Sequence, residues 1–288
     1  MFAIVPMLPP WILLDPILSD WSREDLGRGD HSAQGLGLEG TTGKATWVAK
    51  SEGIIAGLPI AFRMLQLLDP QVKCTAKLAE GFACGSGQVI AELEGPLASL
   101  LSGERAALNV AMRLSGVATA TRRFVDQLAD LPTQFVDTRK TTPGLRLLEK
   151  YATRVGGGTN HRLGLDDAVM VKDNHIAAAG GSIAAAIKKL RSQLPFPLII
   201  EVETETLGQV MEAISAGVGV IMLDNMNLAQ VQAAVQVIRD RAPRTKIEVS
   251  SNISLENIRA IAETGVDYIS SSAPITRSPW LDISMRLQ

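Results

Sequence analysis

Two cysteines in 288 residues, Cys74 and Cys84, are too few for a disulfide framework, and nothing near them has the spacing of a metal site. A reducing cytoplasm is the expected setting. Charge of one sign is scarce as well: 28 Lys plus Arg stand against 30 Asp plus Glu, for a formal net charge of -2. Without a global field, neither nucleic acid nor an anionic membrane is drawn in by bulk charge, and any anion must be met by a local cluster. Basic residues are also missing from the N-terminus, where none precedes Arg23, and four prolines interrupt the apolar start MFAIVPMLPPWILLDPIL. That combination argues against a signal or membrane anchor and for a packing arm.

Apolar residues are plentiful, 46% against 20% charged, enough for a substantial core in one large domain or two ordinary ones. Asp20 to Gly53 is polar and Gly-rich. TTGKATWVAKSEGIIAG then gives short β-type runs, LPIAFRMLQLLD has helical spacing, and KCTAKLAEGFACGSGQVIAELEG returns to short strands broken by glycine. LASLLSGERAALNVAMRLSGVATATRRFVDQLAD is mostly helical, with a turn expected at Gly103 beside Glu104 and Arg105. The first part is therefore mixed α+β.

After Pro132 the rhythm changes. QFVD, AVMV, LIIEV, GVIML, KIEVS and DYIS read as strands, and TLGQVMEAISAG, NLAQVQAAVQVIRDRA and LENIRAIAETG as the helices between the later ones. RVGGGTNH is a candidate seventh strand, weakened by its glycines. The alternation is that of βα units around a parallel sheet. An eight-unit barrel needs about 200 to 250 residues; the shorter length here predicts an incomplete or seven-stranded α/β barrel, with an open doubly wound sheet as the alternative.

Ligand sites in parallel α/β folds lie beyond the carboxyl ends of the strands. Those positions hold Thr138, Arg139 and Lys140 after QFVD, Lys172 after AVMV, Glu201 and Glu203 within LIIEVET, and Asp224 after GVIML. Ser250, Ser251 and Asn252 follow KIEV, and Ser271 and Ser272 follow DYIS. If the runs share one barrel, cations from early strands face carboxylates and hydroxyls from later ones, which suits a polyanion carried with a divalent metal. The small residues after the last strands offer backbone N–H groups to a phosphate.

Plainer readings stand beside these. Arg146, Lys150 and Arg154, at spacing four in LRLLEKYATR, read as a solvated helix face. Lys172 can pair with Asp173, Asp224 can cap a turn, and His161 can be an ordinary hydrogen-bonded histidine. Arg105 beside Glu104 is by default a surface salt bridge. Only the shared location after successive strands favours function.

DTRKTTPGLRLLEKYA, GGGTNHRLGLDDAVMVKDNHI, IIEVET, IMLDNM and DYISSSAPITRSPWLDISM together resemble the quinolinate phosphoribosyltransferase family. EDLGRGDHS and GERAALNVAMRLSGVATAT agree, so the resemblance spans essentially the whole chain. It implies an N-terminal α+β open-faced sandwich domain over residues 1–116, an incomplete, seven-stranded α/β barrel over 117–274, and a tail, 275–288, that returns to the first domain. The implied enzyme transfers the phosphoribosyl group of phosphoribosyl pyrophosphate to quinolinate with loss of CO2, giving nicotinate mononucleotide and pyrophosphate in NAD biosynthesis. Magnesium is the implied cofactor, and a cytoplasmic homodimer without nucleic-acid or membrane partners is the implied form.

The same resemblance assigns Arg139, His161, Arg162 and Lys172 to the quinolinate carboxylates, with Arg105 reaching the neighbouring subunit's site. Thr138 and Lys140 would sit where the substrates meet, and Lys140, Glu201 and Asp224 would be catalytic. Glu201 and Asp224 would address the ribose and hold magnesium through water. Ser250, Ser251, Asn252, Ser271, Ser272 and Ala273 would line the 5'-phosphate. Here the chain departs from the family, with SSN for SGG and SAPITRS for GALTHS, so Ser251, Asn252 and Ser272 replace glycines and Arg277 a histidine. A side chain at a glycine position restricts how closely a backbone approaches a phosphate. The competing expectation is a non-catalytic relative that binds anionic nucleotides or serves transport.

Overall fold

The computed structural model describes residues 7–288; the first six residues of the apolar arm lie outside them. The chain opens with α1 (Trp11–Leu26), α2 (His31–Gly35), β1 (Thr42–Ala49), β2 (Gly53–Ile54) and α3 (Leu58–Leu68). It continues with β3 (Lys73–Ala76), β4 (Ala83–Cys84), β5 (Val89–Pro96) and the long α4 (Leu97–Asp126). Then come β6 (Gln134–Val136), α5 (Arg146–Val155), β7 (Val169–Val171), α6 (Asp173–Ala178), α7 (Ile183–Arg191) and β8 (Ile200–Thr204). The last third holds α8 (Leu207–Ala216), β9 (Val220–Asp224), α9 (Leu228–Arg241), β10 (Lys246–Ser250), α10 (Ile258–Ala262), β11 (Tyr268–Ser270), α11 (Ala273–Thr276) and β12 (Ile283–Leu287). Two compact units result: Met1–Arg122 with Thr142–Gly157 and Arg277–Gln288, and Arg123–Thr141 with Gly158–Thr276.

In the first unit an antiparallel sheet runs in the order β12-β1-β5-β3, with Met285 of β12 opposite Trp47 of β1. Alternate residues of these strands, among them Ala45, Trp47, Leu93 and Ile283, pack with Leu58 and Leu65 of α3 and Leu100 and Leu108 of α4. Each such apolar side chain contributes about 1.5–3 kcal/mol by leaving water. Leu14 and Leu18 of α1 are also buried.

Two expectations from the sequence fail in this unit. No turn forms at Gly103; α4 runs through it and through Gly116 without a break. These glycines serve close approach instead: a Cβ would lie 2.6 Å from a methyl of Leu65 at Gly103, and 2.2 Å from the Pro279 carbonyl at Gly116. Nor is α5 a solvated face. Lys150 is 3% exposed and Glu149 fully buried. Glu149 accepts from Arg113 at 2.6 Å and from the Thr142 backbone and hydroxyl, each at 2.8 Å, so its charge is met by protein rather than water. Tyr151 donates at 2.8 Å to buried Glu80, whose carboxylate also caps the start of α3 through the Gly57 and Leu58 N–H groups.

The second unit is a parallel sheet in the order β6-β11-β10-β9-β8-β7. The candidate seventh strand shrinks to one parallel bridge, Val136 to Thr159, placed beside β6. Followed around, the strands then succeed one another in chain order: β6, Thr159, β7, β8, β9, β10, β11 and back to β6. The turn is complete except between Thr159 and β7, where no ladder forms among the described residues. This is an incomplete seven-stranded α/β barrel. Its core lies between strands and helices, with Val202, Ile221, Val249 and Ile269 against Ile187, Val210, Val235 and Ile258.

Candidate active site

Because Ile200 and Val202 of β8 belong to that outer core, strand alternation turns Glu201 and Glu203 to the inner face. The same alternation turns Glu248 of β10 inward between Ile247 and Val249. The two glutamates of β8 take different partners. Glu201, 6% exposed, accepts from His161 Nε2 at 3.0 Å. Glu203, two residues nearer the carboxyl end, accepts from Lys172 Nζ at 2.6 Å. At about 3.3 Å per residue, Glu203 stands roughly 6–7 Å closer to the mouth. Glu201, expected with Asp224 on ribose and magnesium, thus lies against His161, while Glu203 lies against Lys172 nearer the mouth.

Glu248 approaches the same His161 nitrogen at 3.5 Å. Burial, and then the neighbouring charge of Glu201, pushes the Glu248 carboxyl well above the ordinary carboxylate range. One oxygen of Glu201 and one of Glu248 are buried without a hydrogen-bond partner. Ligand atoms of His161, Glu201 and Glu248 all lie within 4.8 Å of one another.

The cations gather on the segments that follow β6 and the Thr159 bridge. Asp137, 1% exposed, follows β6 and accepts the His161 backbone N–H at 2.8 Å and the Asn160 amide at 2.7 Å, so the two segments are fastened together. Arg162 donates to the Ala168 carbonyl at 2.8 Å. Burial first, and then the charge of Arg139, lowers its pKa, so two guanidinium groups are held near each other at a cost. Arg139 Nε is buried and has no partner. Thr138 accepts the Lys140 backbone N–H at 3.0 Å, which leaves the Lys140 side chain exposed.

Asp224 ends β9 opposite Ser250 of β10, and the Ser251 hydroxyl donates to it in a short bond. Ser251 and Asn252 have φ of 73° and 54°, the left-handed region that glycine favours. Their backbone thus keeps a glycine-like course despite the side chains. Ser271 donates its backbone N–H to Val136 and accepts that of Ala273, and the Ser272 carbonyl accepts from Ile275 and Thr276, so these residues form the entry to α11. Arg105 belongs to the first unit, where its side chain is 60% exposed and 4.0 Å from Glu104. Arg277 is exposed in that unit as well.

Glu248 and Asp137 were not singled out from the sequence. The signal for Glu248 was present: a carboxylate between two β-branched residues of a strand called from its apolar run. No helix among the described residues is long and apolar enough to cross a membrane.

Comparison with known proteins agrees over both units. The family model of the quinolinate phosphoribosyl transferase C-terminal domain matches residues 117–286, and that of its N-terminal domain residues 30–115. A probable carboxylating nicotinate-nucleotide pyrophosphorylase of Synechocystis sp. is 60% identical over 285 residues, covering 99% of this chain and 96% of the relative. Its counterpart from Bacillus subtilis is 47% identical, covering 94% and 92%. The crystal structure of NadC from Streptococcus pyogenes superposes with a TM-score of 0.94 at 40% identity, covering 98% of this chain and 99% of that one. Matched by both domain models and by relatives at these identities, the chain belongs to the quinolinate phosphoribosyl transferase family.

Proposed function

We propose that this chain transfers the phosphoribosyl group of phosphoribosyl pyrophosphate to quinolinate, releasing pyrophosphate and CO2 and leaving nicotinate mononucleotide. The observation that carries this reading is the guanidinium pair. Arg139 and Arg162 are partly buried, repel one another, and leave Arg139 Nε without a partner. Like charges so arranged are relieved by a bound anion, and two planar forks suit carboxylates. Lys172, 44% exposed and shared with Glu203, adds a third cation. A dicarboxylate has use for such a surplus; a monocarboxylate such as nicotinate does not.

In the reaction, the pyridine nitrogen attacks the anomeric carbon as the bond to pyrophosphate breaks, so stabilising the positive charge that develops on the ribose governs the rate. The carboxylates Glu201 and Asp224, with Glu203 nearby, are proposed for that task, and Lys140 for the departing pyrophosphate. The N-ribosyl pyridinium then withdraws electrons from the adjacent carbon, whose bond to the 2-carboxylate breaks to release CO2; a proton takes its place. Arginine and lysine must hold that carboxylate without stabilising the ground state more than the transition state. Ser250, Ser251, Asn252, Ser271, Ser272 and Ala273 supply the polar lining proposed for the 5'-phosphate.

Magnesium keeps waters and prefers oxygen ligands, and Glu201 and Asp224, with Glu203 beside them, are the carboxylates proposed to hold it through water. Glu201 faces His161 and Glu203 faces Lys172, and Glu201 keeps one buried oxygen without a hydrogen-bond partner. When bound, magnesium would neutralise charge on pyrophosphate. Arg105, exposed beside Glu104, is the group proposed to complete a neighbouring subunit's site in a homodimer. Cys74, half-buried with its thiol pushed by burial to about 12, and buried Cys84 are both unpaired, which fits the reducing cytoplasm.

The test is kinetic. Arg162→Ala and Lys172→Ala are each expected to raise the KM for quinolinate and lower kcat by about tenfold or more, the loss of a charge-assisted bond, while circular dichroism stays native. Unchanged kinetics in both would contradict the assignment.

A further inference from the structure

Nothing in the reaction as described uses Glu248, yet it is one of two carboxylates directed at His161. Glu201 Oε2 is 3.0 Å and Glu248 Oε2 3.5 Å from Nε2. The other ring nitrogen, Nδ1, accepts the backbone N–H of Arg162 at 2.7 Å. A nitrogen that accepts carries no hydrogen, so the ring is the neutral tautomer with its proton on Nε2, aimed at the two carboxylates. Both ring nitrogens are therefore engaged within the protein.

A divalent ion between His161, Glu201 and Glu248 is the rival explanation of the cluster. It would need the Nε2 lone pair, which moves the ring proton to Nδ1. There it would meet the Arg162 N–H head on. The Arg162 contact therefore favours a hydrogen-bonded anchor over a metal site.

We infer that Glu248 is a positioning residue: together with Glu201 it fixes the His161 ring through Nε2–H, and His161 through Nδ1 fixes the backbone from which Arg162 reaches the substrate carboxylate. The inference rests on Arg162 being a quinolinate ligand. Asp137 holds the same loop from behind, through the His161 N–H and the Asn160 amide. The chain from Glu248 to Arg162 is thus continuous, with no step longer than the 3.5 Å contact.

Glu248→Gln keeps an acceptor oxygen in place, whereas Glu248→Met keeps the volume and loses the acceptor. Glu248→Gln is expected to stay within about twofold of native, and Glu248→Met to raise the quinolinate KM about tenfold or more, the usual scale for a supporting partner. The KM for phosphoribosyl pyrophosphate should stay within about twofold in both. Arg162→Ala is measured alongside: if it leaves the quinolinate KM unchanged, the site assignment fails, and if it raises that KM while Glu248→Met does not, only the positioning role fails. Nitrogen-15 spectra of the native enzyme, with His161→Gln to assign the signal among three histidines, should show the proton on Nε2; a proton on Nδ1 would overturn the inference even if Glu248→Met does not fold. Titration of the native enzyme with zinc by calorimetry should give no tight site that Glu248→Gln abolishes, and such a site would make the cluster a metal centre instead.

Discussion

At the scale of single residues, the site is a set of charges held in unfavourable company. Arg162 is partly desolvated and lies against the charge of Arg139, and both conditions lower its pKa. Free energy held in this way would be released to a bound anion, and in a chain of net charge -2 only a local cluster favours one. The loop after β10 shows a different compromise. Ser251 and Asn252 occupy left-handed backbone at φ of 73° and 54°, where glycine is unstrained. Ser251 keeps its place through the bond to Asp224, so Ser251→Gly trades relief of about 1 kcal/mol of strain against a lost tether. Asn252→Gly gives up no side-chain bond to the described residues and keeps the bond from Asn257 to its backbone carbonyl. Thermal denaturation should therefore show Asn252→Gly equal to or slightly above the native protein; a fall of several degrees would mean its side chain has a partner in the folded protein.

At the scale of elements, charge patterning along a helix proved a poor guide to exposure. Arg146, Lys150 and Arg154 carry the spacing of a solvated face, but the residues between them, Leu148, Glu149, Tyr151 and Thr153, are buried with Lys150. A sequence cannot show that Glu149 meets Arg113, thirty-six positions away. Glu149→Gln would keep an acceptor oxygen but remove the carboxylate charge that Arg113, 14% exposed, faces, and a loss of about 1–3 kcal/mol is expected in denaturant unfolding. A loss below 1 kcal/mol would show that water or another acceptor replaces it. At the opposite end of the barrel strands, Asp267 accepts from Lys246 and Arg239, each at 2.8 Å, and from the Ile247 N–H at 2.9 Å. Burial raises its pKa, but these bonds together outweigh burial and leave it lowered. A lowered pKa stabilises the fold above the unfolded value of about 3.9, and that stability is lost as pH falls through the folded value. With partners partly exposed, Asp267→Asn should cost about 1–2 kcal/mol at pH 7. The gap from the native protein should close below about pH 4; a gap independent of pH would assign the effect to shape rather than charge.

At the scale of the whole molecule, the barrel's strands were legible because each is a short apolar run followed by a polar residue, and strand ends are where parallel folds place their chemistry. The glycines of RVGGGTNH were a fair warning: that strand survives as a single bridge, and the barrel stays open beside it. Depth along a strand was not legible. Glu201 and Glu203 share a face, and periodicity does not show that the first meets His161 and the second Lys172. Long-range pairings such as β12 with β1 leave no trace in periodicity either. We propose that the surplus of cations serves a substrate with two carboxylates. The direct measurement is to incubate the purified protein with phosphoribosyl pyrophosphate, magnesium and quinolinate labelled in its 2-carboxylate, with nicotinate in a parallel sample, and to count mononucleotide and CO2 together. Equal amounts of nucleotide and CO2 from quinolinate, and no nucleotide from nicotinate, are expected; nucleotide formed from nicotinate at a comparable rate, or none from either acid, would contradict the account.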